Sequence, residues 1–190
     1  MEVLIGMKSQ DFHTPSSRLP NPHILCQTSL MRNLTATLCL TLAVLLGSAG
    51  MSVSQDFQMG LDAAERGDYA IALREWTPLA ERGVPGAQYN LGRMYVNGWG
   101  VPQDYKTAVK WYRLAAEQGD AGAQYNLGTM YGAVLLDYVY AHMWWNIAAL
   151  QGHEGATEYR DTIAERMTPS QIERAQDRAR ECVAKNYKGC

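Results

Sequence analysis

The sequence is short of several residue types, and each shortage narrows the class of protein. Only four cysteines occur among 190 residues, and none lies between residues 55 and 181, which excludes a disulfide-rich scaffold over that stretch. All five tryptophans and eleven tyrosines lie at or after Tyr69, so an aromatic core can form only in the later part of the chain. The formal net charge of −2 gives no basic footprint, and we predict no nucleic-acid partner.

Motifs of catalytic chemistry are also missing. The sequence has no phosphate-cradling Gly-Lys-Ser/Thr loop and no Ser-x-x-Lys nucleophile pair. His153 and Glu154 open the pattern H-E-x-x-T, but Thr157 stands where a zinc peptidase needs its second histidine. We therefore predict that the protein is not an enzyme and that it has no catalytic residue, metal site or cofactor.

The longest apolar run near the start, LTATLCLTLAVLL from Leu34 to Leu46, is shorter than the roughly 20 residues that span a bilayer. Met31-Arg32 precedes it and small residues follow, which is the order of a secretory signal. We assign residues 31–54 to a signal peptide, with cleavage after Ala49, Gly50 or Ser54. An uncleaved membrane anchor is the alternative.

Residues 1–30 resemble neither a signal nor a domain, because Pro15, Pro20 and Pro22 interrupt any helix. We interpret them as a mis-assigned or disordered leader, with Met31 as the true start. The mature protein is then expected to be periplasmic or secreted, with no stable membrane span after signal cleavage.

A ten-residue phrase occurs twice in the later part of the chain. GAQYNLGRMY starts at Gly86 and GAQYNLGTMY starts at Gly122, 36 residues later, with only Arg93 replaced by Thr129. Its apolar residues recur at helical spacing, which predicts an amphipathic helix. Gly92 is costly inside a helix, so its reuse at Gly128 indicates a close approach of a neighbouring helix.

A second helix follows each phrase, and an earlier copy of it precedes the first. It reads DYAIALREWTPLAERG from Asp68, DYKTAVKWYRLAAEQG from Asp104 and DYVYAHMWWNIAALQG from Asp137. One aromatic position recurs in all three copies and is expected to be scaffold: Trp76, Tyr112 and Trp145. The sequence thus predicts an all-α fold, an α/α superhelical solenoid of three helix pairs over residues 55–154, at 55–85, 86–121 and 122–154.

Residues 155–190 are predicted to cap the solenoid. Thr168 and Gln171 form a capping box, and an apolar stripe follows at Ile172, Ala175, Ala179 and Val183. Cys182 and Cys190 are the cysteines expected in the mature protein, and an oxidising compartment favours a disulfide that closes the tail. A redox pair is the alternative, although the C-x-x-C spacing is absent.

The repeated motifs resemble a known family. A-x-Y-N-L-G-x-x-Y, G-x-G-V-P-x-D-Y and A-x-x-W-Y-x-x-A-A-E-x-G, all in residues 86–121, are similar to the Sel-one-like repeat, a longer-looped relative of the tetratricopeptide repeat. The resemblance covers about residues 55–154. It departs from the family in a weak first helix of the first unit and in a shortened loop before Asp137. It implies an adaptor or scaffold without implying one ligand.

The resemblance leaves three functions open. The first is an adaptor in the cell envelope that binds a protein or peptide partner. The second is a β-lactam-binding or hydrolytic envelope enzyme, as some cysteine-rich relatives are, although residues 55–181 lack the cysteines that those relatives carry. The third is a stabilising module without a dedicated ligand.

Two candidate surfaces follow. By resemblance to tetratricopeptide repeats, the second face of the first helices lines a partner-binding groove, and its residues are Tyr89, Asn90, Arg93, Asn97, Tyr125, Asn126 and Thr129. The asparagines could instead bond to nearby backbone, and the tyrosines could pack between units. A secondary aromatic surface consists of Trp99, Trp111 and Trp144, each of which could instead pack under a loop.

Overall fold

A computed structural model describes residues 52–190, and this part of the chain is helical without strands. The first helix, α1, covers residues 52–65. The following helices are α2 (Tyr69–Glu81), α3 (Pro85–Asn97), α4 (Tyr105–Ala116), α5 (Ala121–Thr129), α6 (Tyr138–Leu150), α7 (Ala156–Ala164) and α8 (Pro169–Ala184), with a π-helical turn at Met130–Val134. Successive helices pack as neighbours, in the order α2, α3, α4, α5 and α6, and both α7 and α8 pack on α6.

Side-chain caps fix where several helices begin. Asp104, Asp120 and Asp137 each accept a hydrogen bond from a backbone N–H two or three residues further on, at 2.9, 2.7 and 3.1 Å. Each bond satisfies an amide that has no partner within its helix. The predicted capping box of Thr168 and Gln171 is confirmed at the start of α8.

The two helices of each unit meet at a glycine and an aromatic ring. A Cβ atom added to Gly92 would lie 2.6 Å from the Tyr112 ring, and one added to Gly128 would lie 2.8 Å from Trp145. The expectation that these glycines allow a close approach is therefore confirmed. The first unit has the same contact, because a Cβ on Gly60 would overlap the Trp76 indole.

A second set of glycine contacts joins one unit to the next. The Phe57 ring of α1 lies 3.0 Å from the Cβ position of Gly86, and the Tyr89 ring of α3 lies 3.2 Å from that of Gly122. Tyr125 approaches Gly155 in the same way, at 4.0 Å. Tyr89 and Tyr125 thus pack between units, the alternative given above to a place in the groove.

Buried glutamines add polar contacts along the stack. Gln88 donates to the Ala80 carbonyl at 3.0 Å, and Gln124 donates to the Ala116 carbonyl at 3.1 Å. These bonds satisfy carbonyls at the ends of the preceding helices α2 and α4. Their side-chain oxygens accept from Gln118 and Gln151, which lie about one repeat further on. The repetition of these glutamines in the sequence did not by itself indicate this role.

The C-terminal helix α8 closes the stack through a narrow apolar stripe. Ala175, Ala179 and Cys182 are buried, whereas Val183 is exposed, so the predicted stripe was wrong at Val183. Cys182 takes the buried place because it lies on the same helix face, seven residues after Ala175 and three after Ala179.

The tail reverses direction after α8. Asn186 and Tyr187 have left-handed backbone angles, φ 50° and 65°, which turn the chain back. This brings Cys190 to Cys182, with the two sulfurs 2.06 Å apart and the Cα atoms 5.5 Å apart. The Tyr187 ring lies beside Gly119, in the turn between α4 and α5.

The third unit departs from the first two at its loop. Three residues are missing before Asp137, and the chain passes from α5 into the π-helical turn. Val134, Leu135 and Leu136 are exposed there, and Leu136 has φ 55°. The glycine-rich loop with a tryptophan, which follows α3, has no counterpart after α5.

The fold class of the described residues is as predicted, an all-α solenoid of helix pairs. The predicted leader at 1–30 lies outside the described residues. So does the signal segment up to residue 51, while residues 52–54 lie within α1. None of the helices within residues 52–190 is long and apolar enough to cross a membrane.

Gly92→Ala should destabilise the protein by about 1–3 kcal/mol, because the added methyl group overlaps the Tyr112 ring. Helix propensity alone predicts the opposite, a gain of about 1 kcal/mol. Urea unfolding followed by circular dichroism separates the two. In a Tyr112→Leu background the penalty should shrink, and an equal penalty in both backgrounds would contradict the ring contact.

Reduction of the Cys182–Cys190 pair should cost about 2–3 kcal/mol, because the closed loop restricts the unfolded chain. The urea midpoint of the wild-type protein should fall with dithiothreitol, and that of Cys190→Ser should not respond. Alkylation of the non-reduced protein should leave both thiols unmodified. Peptide mapping that finds both Cys182 and Cys190 alkylated, whatever the state of Cys26 and Cys39, would disprove the pairing.

Candidate functional site

A cleft of about 280 Å³ lies between the first helix pair and the second. Helices α1, α2 and α3 and the loop after α3 all contribute to it. Its apolar members are Leu61, Ala64, Trp76 and Met94, and its polar or aromatic members are Glu65, Tyr69, Asn90, Arg93 and Trp99. The cleft therefore combines an apolar lining with a few polar groups, the usual composition of a ligand site.

The loop after α3 places Trp99 in this cleft. Gly98 ends the helix in the left-handed conformation, φ 70°, and the Trp99 N–H donates to the Met94 carbonyl at 3.0 Å. Gly100 has φ 69°, and a Cβ on it would lie only 2.9 Å from Tyr69. Position 100 therefore needs a glycine, because the backbone is left-handed there and because Tyr69 leaves no space for a side chain. The Trp99 ring consequently stacks on Tyr69, with centroids 5.2 Å apart and planes 4° apart.

Arg93 joins the two predicted surfaces. Its guanidinium carbon lies 5.4 Å from the Trp99 ring centre and 5.8 Å from the Tyr89 ring centre, within cation–π range. The side chain is exposed, and no carboxylate within residues 52–190 pairs with it. The Arg93 guanidinium at the cleft is therefore positioned by two aromatic rings but has no carboxylate partner.

Asn90 supplies an unpaired amide to the same cleft. The residue is only 6% exposed, and its side chain makes no hydrogen bond within the described chain. The fully buried polar side-chain atoms without a partner in residues 52–190 belong to His142, Trp144, Trp145 and His153, so the Asn90 amide still meets solvent in the cleft. The bond to nearby backbone, offered above as the alternative for the asparagines, is therefore absent at Asn90.

The other predicted groove residues lie outside the cleft lining. Asn97 donates to the Arg93 carbonyl at 2.8 Å, and the Thr129 hydroxyl donates to the Tyr125 carbonyl at 3.2 Å. These are bonds within their own helices. Asn126 is half-buried in α5, one repeat away from Asn90.

The predicted aromatic surface separates into three environments. Trp99 lines the cleft, and half-buried Trp111 lines a wider groove of about 520 Å³ with Leu114 and Lys188. The prediction was wrong for Trp144, which is 0% exposed. It lies in the same buried cluster as Ala179 of α8, which packs on α6.

The histidines make no catalytic arrangement in the described part of the chain. The His153 ring stacks on Tyr125 at 4.4 Å, and His142 is buried in α6. The Nδ1 atoms of both are buried without a hydrogen-bond partner. Within residues 52–190, no group of three or more His, Cys, Asp or Glu side chains could hold a metal ion.

Several residues that line the cleft were not predicted from the sequence. Leu61 and Ala64 belong to α1, whose repeat pattern is too weak to align with the later first helices. Tyr69 follows the Asp that opens the second helix, and its recurrence at Tyr105 and Tyr138 was visible but indicated only a helix start. Trp76 was assigned to the scaffold alone, although it also lines the cleft.

The fold and the cleft define a helical-repeat scaffold with a binding-type cleft between two units. Residues 85–120 and 121–153 both match the Sel1 repeat, so the chain contains two Sel1 repeats. Such repeats are typically interaction scaffolds that mediate contacts between proteins.

Two solved structures are similar to the chain. One is a protective antigen, c5321, present in uropathogenic Escherichia coli strains and displaying an SLR fold, with 28% identity over 71% of this chain and a TM-score of 0.67. The other is a Sel1 repeat protein from Oxalobacter formigenes, with 34% identity over 57% of this chain and a TM-score of 0.52. The chain covers 30% and 34% of their lengths. No curated protein matches it in sequence.

Stability should fall in mild acid because of His142. Burial, and then the nearby positive charge of Arg160, lower the pKa of His142 below the ordinary 6.5, while Asp161 acts in the opposite sense. Between the folded and unfolded pKa values the unfolded chain binds more protons, so stability is full above about pH 6.5 and is lost as the pH falls through the folded pKa.

His142→Leu tests this, because Leu73 holds the equivalent place in the first unit. We expect a shallower loss of the urea midpoint between pH 7.5 and pH 5, and a gain of about 1 kcal/mol at pH 7.5 from removing the unpaired nitrogen. His153→Gln retains His142 and should keep the wild-type slope. Equal slopes in wild type and His142→Leu would contradict the assignment.

Proposed function

We propose that the protein is an exported adaptor of the cell envelope that binds a protein or peptide partner through the cleft between its first two helix pairs. The observation that carries this proposal is that Arg93 and Asn90 lie together at the cleft, where within residues 52–190 the guanidinium has no carboxylate partner and the amide has no hydrogen-bond partner. Such groups favour the backbone or a carboxylate of an extended peptide.

The asymmetry of the repeats supports a dedicated site. The two ten-residue phrases share their packing residues and differ only at Arg93 and Thr129. Thr129 is occupied by a bond within its own helix, whereas Arg93 stands free over aromatic rings. Beside that cation, the Asn90 amide has no hydrogen-bond partner within the described residues, so both groups are available to a ligand.

Export is supported by two features of the sequence. Residues 31–54 have the order of a signal peptide, and the cysteine pair at the C-terminus suits an oxidising compartment. The similar Escherichia coli protein is a protective antigen, a description compatible with an exported position.

Arg93→Thr should reduce partner capture at least tenfold, since a charged hydrogen bond contributes about 1.5–3 kcal/mol. The variant copies the residue that the chain itself uses at position 129, so the helix should be retained. Proteins cross-linked to the full-length chain in the envelope fraction are quantified by mass spectrometry. Thr129→Ala is the matched control and should leave capture unchanged.

An identical captured set for wild type and Arg93→Thr would contradict the proposed site. Recovery of the uncleaved chain in the cytoplasmic fraction would contradict export. Trp111→Ala examines the separate groove, and a loss of capture there alone would move the binding surface away from the cleft.

A further inference from the structure

The cleft is at the small end of the size range of ligand sites. Its volume of about 280 Å³ lies just below the roughly 300–1,000 Å³ of sites for drug-sized molecules. A helix or a folded loop would not enter it. A single large side chain of an extended segment would.

The apolar part of the cleft favours an aromatic side chain. Leu61, Ala64 and Met94 give it an aliphatic lining, and the Trp76 and Trp99 rings add flat apolar surfaces. The indole N–H of Trp76 already donates to the Phe57 carbonyl at 3.2 Å, so Trp76 needs no hydrogen-bond acceptor from a ligand. Aromatic rings pack well against other rings and against methionine.

The polar part of the cleft favours a carboxylate. Arg93 and Asn90 lie three residues apart in α3 and therefore on one helix face. The guanidinium lies near two rings, an arrangement that leaves its N–H donors available. Glu65 is the one acidic residue in the cleft lining, which disfavours a ligand with several negative charges.

We infer that the cleft binds an aromatic residue of a partner peptide together with a carboxylate next to it, held by Arg93 and Asn90. The inference rests on the proposed function and specifies its ligand. The carboxylate belongs either to the end of the peptide or to an adjacent acidic side chain, and both sources present the same chemistry to Arg93.

Four short peptides test this by calorimetry on the full-length chain. They are Gly-Ser-Gly-Phe with a free carboxylate, the same peptide with an amide end, Gly-Ser-Gly-Ala with a free carboxylate, and Gly-Ser-Asp-Phe with an amide end. The free Phe acid should bind about tenfold or more tightly than its amide and than the Ala acid. Equal affinity of the Asp-Phe amide would identify a side-chain carboxylate, and weak binding of it would identify a chain end.

Variants assign the groups. Arg93→Thr and Asn90→Ala should each remove the preference for acid over amide, while Asn126→Ala, the equivalent position one repeat later, should retain it. Urea midpoints confirm that each variant is folded. Equal binding of acid and amide, or of Phe and Ala, would overturn the inference.

A failed inference and a failed function give different results. If none of the four peptides binds while cross-linked capture still depends on Arg93, the ligand chemistry is wrong and the adaptor proposal stands. If capture does not depend on Arg93 either, both are wrong.

Discussion

The contact between a helical glycine and an aromatic ring holds each repeat of this protein together. Gly92 meets Tyr112 and Gly128 meets Trp145 at distances that a Cβ atom could not tolerate. A glycine in mid-helix costs about 1 kcal/mol, and the close packing of a large ring offsets it. The buried residues form three apolar clusters along the stack, and the repeated phrase supplies the glycine contact in two of the three units.

The cleft depends on the same construction in the first unit. Trp76 fills the space beside Gly60 and also lines the cleft, so scaffold and site share a side chain. Two groups that line the cleft lie at positions where the repeats differ in sequence. They are Arg93 and Trp99, and Trp99 belongs to the glycine-rich loop. The third unit lacks that loop and has Thr129, so the chain carries this combination of groups once within its described residues.

Much of the fold could be predicted because its signals are local. Helical spacing, the capping box at Thr168 and the disulfide-closed tail each involve residues less than one repeat apart. Gly60 was missed because α1 has lost the phrase around it. Val183 was chosen over Cys182 because apolar spacing tolerates a shift of one residue, and only the packing of α8 on α6 resolves it.

The sequence by itself determined the helix pairs and their repeat. It also identified Arg93 as the one residue at which two otherwise identical phrases differ. Only the tertiary structure decided what Arg93 meets, since Tyr69 and Trp99 lie thirty residues apart and stack because of the loop geometry at Gly100. The tertiary structure also decided that Trp144 is buried, although it shares a repeat position with the half-buried Trp111. That position faces α8 in the last unit, and burial depends on which neighbour a helix has.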